Sequence, residues 1–134
     1  MTDTIDELSF KWPIPDDMHR LPIVMIGAGA ITDIAHLPAY KLANFEVLGI
    51  FDVDRQTAQS MADKWNIPRV FDNFTEVCAM ANDKTQQVIF DVAVPPTQIL
   101  RVLKELPENS HVLIQKPMGE TGLEAQSIVD VCKQ

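Results

Sequence analysis

Short apolar runs alternate with longer amphipathic stretches along this 134-residue chain, the pattern of successive βα units around a parallel sheet. Five strands are expected: Pro22 to Ile26, Phe45 to Phe51, the short Arg69 to Phe71, Val88 to Val92 and His111 to Ile114. All but the third are rich in Val, Ile and Leu without strict alternation, as in strands covered by helices on both faces. Between and after them, helical spacing is expected over Ile31 to Leu42, Arg55 to Trp65, Thr75 to Ala81, Thr97 to Glu105 and Glu120 to Cys132. Asp54 and Asn73 stand where side-chain oxygens cap helix starts, and Pro95-Pro96 where a missing N–H is tolerated. Right-handed crossovers then give an α/β fold, a doubly wound parallel sheet with strand order 3-2-1-4-5.

The length fits one module spanning 21–134, preceded by an irregular arm over 1–20 whose Trp12-Pro13-Ile14-Pro15 excludes a regular helix. Hydrophobic residues make up 46% and charged residues 22%, so a packed core rather than disorder is expected. A net charge of -8 without a basic tract argues against nucleic acid and anionic membrane as partners. The acidic N-terminus lacks an apolar signal core and no apolar run approaches bilayer length, so the expected address is cytoplasmic. Cys78 and Cys132 read as reduced thiols. The three histidines, His19, His36 and His111, have no ligand spacing, and no metal is assigned.

The chemistry concentrates at two places. Gly27-x-Gly29-x-x-Thr32 follows a buried strand and opens a helix with Ala30, Ile31 and Thr32, the context in which a glycine pattern becomes a dinucleotide clamp. Gly27 permits the tight turn, and Gly29 lacks the Cβ that would keep a pyrophosphate from the N–H groups at the helix start. Thr32 replaces a third glycine, and its hydroxyl is a candidate donor to a phosphate oxygen. Asp33 is expected to point away or to pair with His36 one turn on. Asp52, about 25 residues after Gly27, ends the second strand where a carboxylate accepts from the adenosine ribose, favouring NAD. NADP is accommodated if Arg55 turns to meet a 2′-phosphate. The second place is Val112-Leu113-Ile114-Gln115-Lys116-Pro117-Met118, an apolar strand delivering Lys116 to the carboxyl edge of the sheet, where ligands gather.

From about Leu21 to the end, the chain resembles the glucose-fructose oxidoreductase, inositol dehydrogenase and rhizopine catabolism (Gfo/Idh/MocA) family. The resemblance rests on Gly27-Ala28-Gly29-Ala30-Ile31 with His36-Leu37-Pro38-Ala39, on Phe51-Asp52-Val53-Asp54-Arg55, on Val92-Ala93-Val94-Pro95, and on His111 through Met118. It implies a Rossmann NAD(P)-binding domain that works with a C-terminal α/β domain to oxidise or reduce sugars, polyols and related hydroxyl compounds.

By that resemblance, Lys116 lies beside nicotinamide and the substrate hydroxyl as the catalytic residue, stabilising oxyanion charge and relaying a proton. Gln115, where the family reads Glu, keeps hydrogen-bonding capacity for the nicotinamide ribose but removes a carboxylate from beside the lysine. Val94 and Pro95 belong to the loop over the cofactor, where Val94-Pro95-Pro96 and Ile99 replace a more polar Thr-Pro-Asn and His. The family's acid–base Asp and His, borne by the C-terminal domain, have no counterpart here. The expectation is therefore a domain cut from a longer enzyme, meeting its small hydroxyl or carbonyl substrate through that missing domain. Its uncovered apolar surface would favour homo-oligomers. The other reading is a non-catalytic dinucleotide-binding sensor, or a module that docks a partner through the Trp12 arm.

Overall fold

The computed structural model describes residues 20–134, so nearly all of the expected N-terminal arm lies outside the described residues. Strand β1 (Ile23–Ile26), fully buried, is followed by a glycine turn, a π-helical turn (Thr32–His36) and α1 (Leu37–Leu42). Then come β2 (Val47–Phe51), α2 (Arg55–Trp65), α3 (Phe74–Asn82), β3 (Ile89–Val92), α4 (Pro96–Glu105), β4 (His111–Ile114) and α5 (Gly122–Cys132). The strands pair in parallel in the order β2-β1-β3-β4.

The expected third strand shrinks to one parallel bridge, Ile50 with Val70. Counting that bridge outside β2 recovers the relative positions in the expected order, with four true strands in place of five. The segment is short because Arg69 and Phe71 each exchange one backbone hydrogen bond with Ile50 and the chain then turns into the cap of α3.

Side-chain period two divides the core into two layers. On one face, Val24, Ile26, Phe90 and Val92 pack with Phe71, Val77, Ile99, Leu103 and Ile128, under α3, α4 and α5. On the other, Ile23, Met25 and Ile50 pack with Leu37, Ala58, Met61 and Ala62, under α1 and α2. The caps are where the sequence indicates: Asp54 accepts from the amides of Gln56 and Thr57, and Asn73 from that of Glu76. Pro95 caps α4, with Pro96 as its first residue.

Strand β4 departs from the expectation of cover on both faces. His111 and Leu113 are exposed while Val112 and Ile114 are half-buried, because α1 and α2 lie over β1 and β2 and no described element reaches across to β4. No described helix is long and apolar enough to cross a membrane.

Candidate dinucleotide site

The carboxyl end of β1 is fastened on both sides before the chain turns. Gly27 donates its amide to Phe51 O of β2 at 2.8 Å, and Ala93 donates to Ile26 O from the β3 side at 2.8 Å. Gly27 has φ +109°, and a Cβ there would collide with the Ala93 carbonyl, so only glycine brings β1 this close to the loop after β3. Ala28 is buried, and its amide donates to Asp52 Oδ2 at 2.8 Å. Asp52 Oδ1 accepts from the Asp54 amide at 2.9 Å. Both oxygens keep a second lone pair for a ligand hydroxyl.

Gly29 and Ala30 then emerge into solvent where the helical run begins. A Cβ built at Gly29 meets no atom within 4 Å, so glycine is not required there by the protein's own packing. Its missing side chain leaves a backbone cradle open to a phosphate.

A cleft of about 620 Å³ runs from this turn along the carboxyl edge of the sheet. It brings together five of the residues singled out from sequence: Gly27, Gly29, Asp52, Val94 and Pro95. Its remaining wall is mostly apolar, from Phe51, Val53, Phe74 and Val102, with Gln98, Arg101 and Glu105 of α4 as polar members. The sequence reading missed that α4 wall. The signal was present in the helical spacing of Gln98, Arg101 or Val102, and Glu105, which places them on one face.

The other candidates lie elsewhere. Ala30 and Ile31 stand at the start of the helical run but do not line the cleft. Thr32 is wholly buried and its hydroxyl donates to Gly27 O at 2.9 Å, closing the glycine turn from within. The expected donation to a phosphate is thus replaced by a structural bond, because the position faces the sheet where a third glycine would allow close packing. Arg55 pairs with Asp72 at 2.5 Å rather than facing the cleft. Asp33 does point away, to Lys64 Nζ at 2.8 Å and Trp65 Nε1 at 2.7 Å; it does not pair with His36.

Gln115 donates its backbone N–H to Val92 O at 3.1 Å, which holds the loop after β4 at the same edge of the sheet. Lys116 follows, exposed and outside the cleft lining. Ile99, at the position where the family bears a polar residue, is buried in the core. Among the described residues, no group of three or more His, Cys, Asp or Glu converges as a metal site.

The turn, the cradle and the cleft fit a dinucleotide: a glycine required by close approach, a glycine with open space in front of it, and an acid at the end of the neighbouring strand. The fold agrees with solved structures. An oxidoreductase from Thermotoga maritima superposes with a TM-score of 0.75 at 21% identity, over 87% of this chain and 36% of that one. The WlbA dehydrogenase from Bordetella pertussis, in complex with NADH and UDP-GlcNAcA, gives 0.67 at 20% identity, over 89% and 35%. A 3-ketoreductase from Actinomadura kijaniata, in complex with NADP and TDP-benzene, gives 0.65 at 18%, over 86% and 34%. The chain therefore spans about a third of the length of these structures. No curated protein matches it significantly in sequence. Residues 21–134 do match the sequence model of the oxidoreductase family with an NAD-binding Rossmann fold, and the chain accordingly belongs to the Gfo/Idh/MocA oxidoreductases.

Proposed function

We propose that this chain is the dinucleotide-binding part of a dehydrogenase or reductase acting on a sugar, polyol or related hydroxyl compound, and that it prefers NAD to NADP. The observation that carries this reading is Gly29, whose open Cβ position faces outward beside a cleft bordered by Asp52, Val94 and Pro95. A nicotinamide cofactor, when bound, supplies the hydride acceptor or donor.

The chain's own groups do the rest. Gly27, fastened by Phe51 O and the Ala28–Asp52 bond, holds the turn in place without needing the ligand. Asp52 receives ribose hydroxyls on its unused lone pairs and repels a 2′-phosphate, while Arg55 is engaged by Asp72. Lys116, after β4 at the same sheet edge, holds a positive charge against the oxyanion that develops as a hydroxyl becomes a carbonyl. The apolar wall of Phe51, Val53 and Phe74 shields the adenine end. The substrate's own contacts come from protein outside the described residues, as does the partner of Lys116 in proton relay. NADH in the Bordetella structure and NADP in the Actinomadura structure leave both cofactors in the family's range, and Asp52 supports the choice made here.

The test is calorimetric titration with NAD, NADH, NADP and NADPH, on the wild type and on Gly29→Ala. Saturable binding, tighter for NADH than for NADPH and weakened about tenfold or more by Gly29→Ala, corresponding to about 1.4 kcal/mol, is the expected result. The melting temperature should stay within a few degrees, since the added methyl meets nothing in the protein. Absence of binding by all four dinucleotides would overturn the reading.

A further inference from the structure

Asp91 is a carboxylate in the middle of a parallel strand, within Ile89-Phe90-Asp91-Val92, and it is completely buried. It stands in register with Met25 of β1 and Leu113 of β4, on the sheet face that α1 covers. A buried acid in such a run costs free energy unless donors meet it. Two do, and both come from one helical segment. Tyr40 donates its hydroxyl to Asp91 Oδ2 at 2.6 Å, and His36 Nδ1 lies 2.6 Å from the same oxygen, where an N–H donates. Asp91 Oδ1 is buried without a hydrogen-bond partner among the described residues.

His36 closes the π-helical turn and Tyr40 lies one turn further into α1. The other end of that π-turn is Thr32, buried and bonded to Gly27 O. A continuous set of hydrogen bonds thus links Asp91, on the strand that leads into Val94 and Pro95, to the π-turn, and Thr32 links the π-turn to Gly27. π-helical turns recur at functional sites because the extra residue re-aims what precedes and follows them.

We infer that Asp91 is a positioning residue for the dinucleotide site: through His36 and Tyr40 it sets the placement of the π-turn, and through Thr32 the placement of the Gly27–Gly29 turn. This rests on the reading that the turn binds a dinucleotide. Asp91, His36 and Tyr40 do not themselves line the cleft. It acts only by fixing the helix that the glycine turn opens. An apolar residue at position 91 would fill the sheet face equally well, but it would hold α1 by contact that permits sliding, whereas two short hydrogen bonds to one oxygen fix both rotation and height.

The experiment compares NADH affinity and amide hydrogen exchange of residues 27 to 33 in wild type, Asp91→Asn, Tyr40→Phe, His36→Ala and His36→Asn. Ile128→Val, in the core on the opposite face of the sheet, serves as a control for loss of stability alone. The expected result is a five- to tenfold loss of NADH affinity and at least tenfold faster exchange at residues 27 to 33 in Asp91→Asn and His36→Ala. His36→Asn, which keeps a donor near the place of Nδ1, should recover most of both, and Ile128→Val should change neither. Tyr40→Phe loses one hydroxyl and little volume, so it reports a smaller change in the same direction even if Asp91→Asn does not fold. Unchanged exchange at residues 27 to 33 in the folded variants, or equal effects from His36→Asn and His36→Ala, would overturn the inference. Should the wild type bind no dinucleotide, the cofactor reading fails, and the exchange data still decide whether Asp91 positions the turn.

Discussion

The amide of Ala28 is hydrogen-bonded to the carboxylate of Asp52, so the side chain proposed to receive a ribose also shapes the glycine turn. The two roles separate by substitution. Asp52→Ala removes the acceptor of two backbone amides, those of Ala28 and Asp54, and should cost about 1–3 kcal/mol of stability in urea unfolding. Asp52→Asn keeps one acceptor oxygen, loses less stability, and removes the charge proposed to oppose a 2′-phosphate. The ratio of NADPH to NADH affinity should rise about tenfold in Asp52→Asn. A ratio that stays fixed while both affinities fall would mean that Asp52 only shapes the turn.

The bridge between Ile50 and Val70 depends on Gly49 for a steric reason. A Cβ at Gly49 would sit 2.5 Å from Phe71 Cε2 and 3.2 Å from Arg69 O, so the wholly buried Phe71 ring occupies the space a side chain would need. Gly49→Ala should destabilise the fold by about 1–3 kcal/mol, the range for overpacking. Phe71→Leu removes the ring edge, and the double variant should lose at least about 0.5 kcal/mol less than the sum of the single losses. Strict additivity in that cycle would place the cost of Gly49→Ala in the backbone at Arg69.

How much of this was legible in the sequence depended on whether the signal was local. Asp54 and Asn73 cap α2 and α3 because capping involves residues two or three apart, and α2 begins and ends where its periodicity and cap indicate. The glycine turn was legible because strand, glycines and helix follow one another directly. Asp33 points away from the cleft, one of the two placements expected of it, but its partners Lys64 and Trp65 were not legible, nor were Gly27 O for Thr32 and Asp72 for Arg55, because these are set by how α1 and α2 pack and where the loop after the bridge returns. Asp91 carried a signal, an acid inside an apolar run, but its partners lie 51 and 55 residues away. No spacing rule joins a strand residue to a helix across that distance.

Cys78 should be the slower of the two thiols to react. Burial is the larger cause raising its pKa and the nearby Glu105 charge the second, while its Sγ donates to Glu105 O at 3.3 Å. Cys132 is exposed. Because the thiolate is the nucleophile, brief treatment with iodoacetamide at pH 8 should label Cys132 first, with Cys78 slower by about an order of magnitude. Peptide mass spectrometry reads the order, and equal labelling of the two would show that α3 opens readily.

Asp33 gives the fold a dependence on acid with a defined sign. Its pKa is lowered from 3.8, chiefly by the hydrogen bond from Lys64 and next by that from Trp65. A carboxyl whose folded value lies below its unfolded value contributes stability that is fully present above the unfolded value, and that fades as pH falls through the folded one. Wild type and Asp33→Asn should therefore differ most in melting temperature above about pH 4, with the gap closing toward pH 2. Lys64 is exposed and Asp33 half-buried, so the gap should also narrow with added salt. Trp65 fluorescence supplies a local readout, since its indole N–H donates to the same carboxylate. A gap in melting temperature that is the same at pH 6 and pH 2 would assign the effect of Asp33 to packing of α2 against the π-turn instead of to its charge.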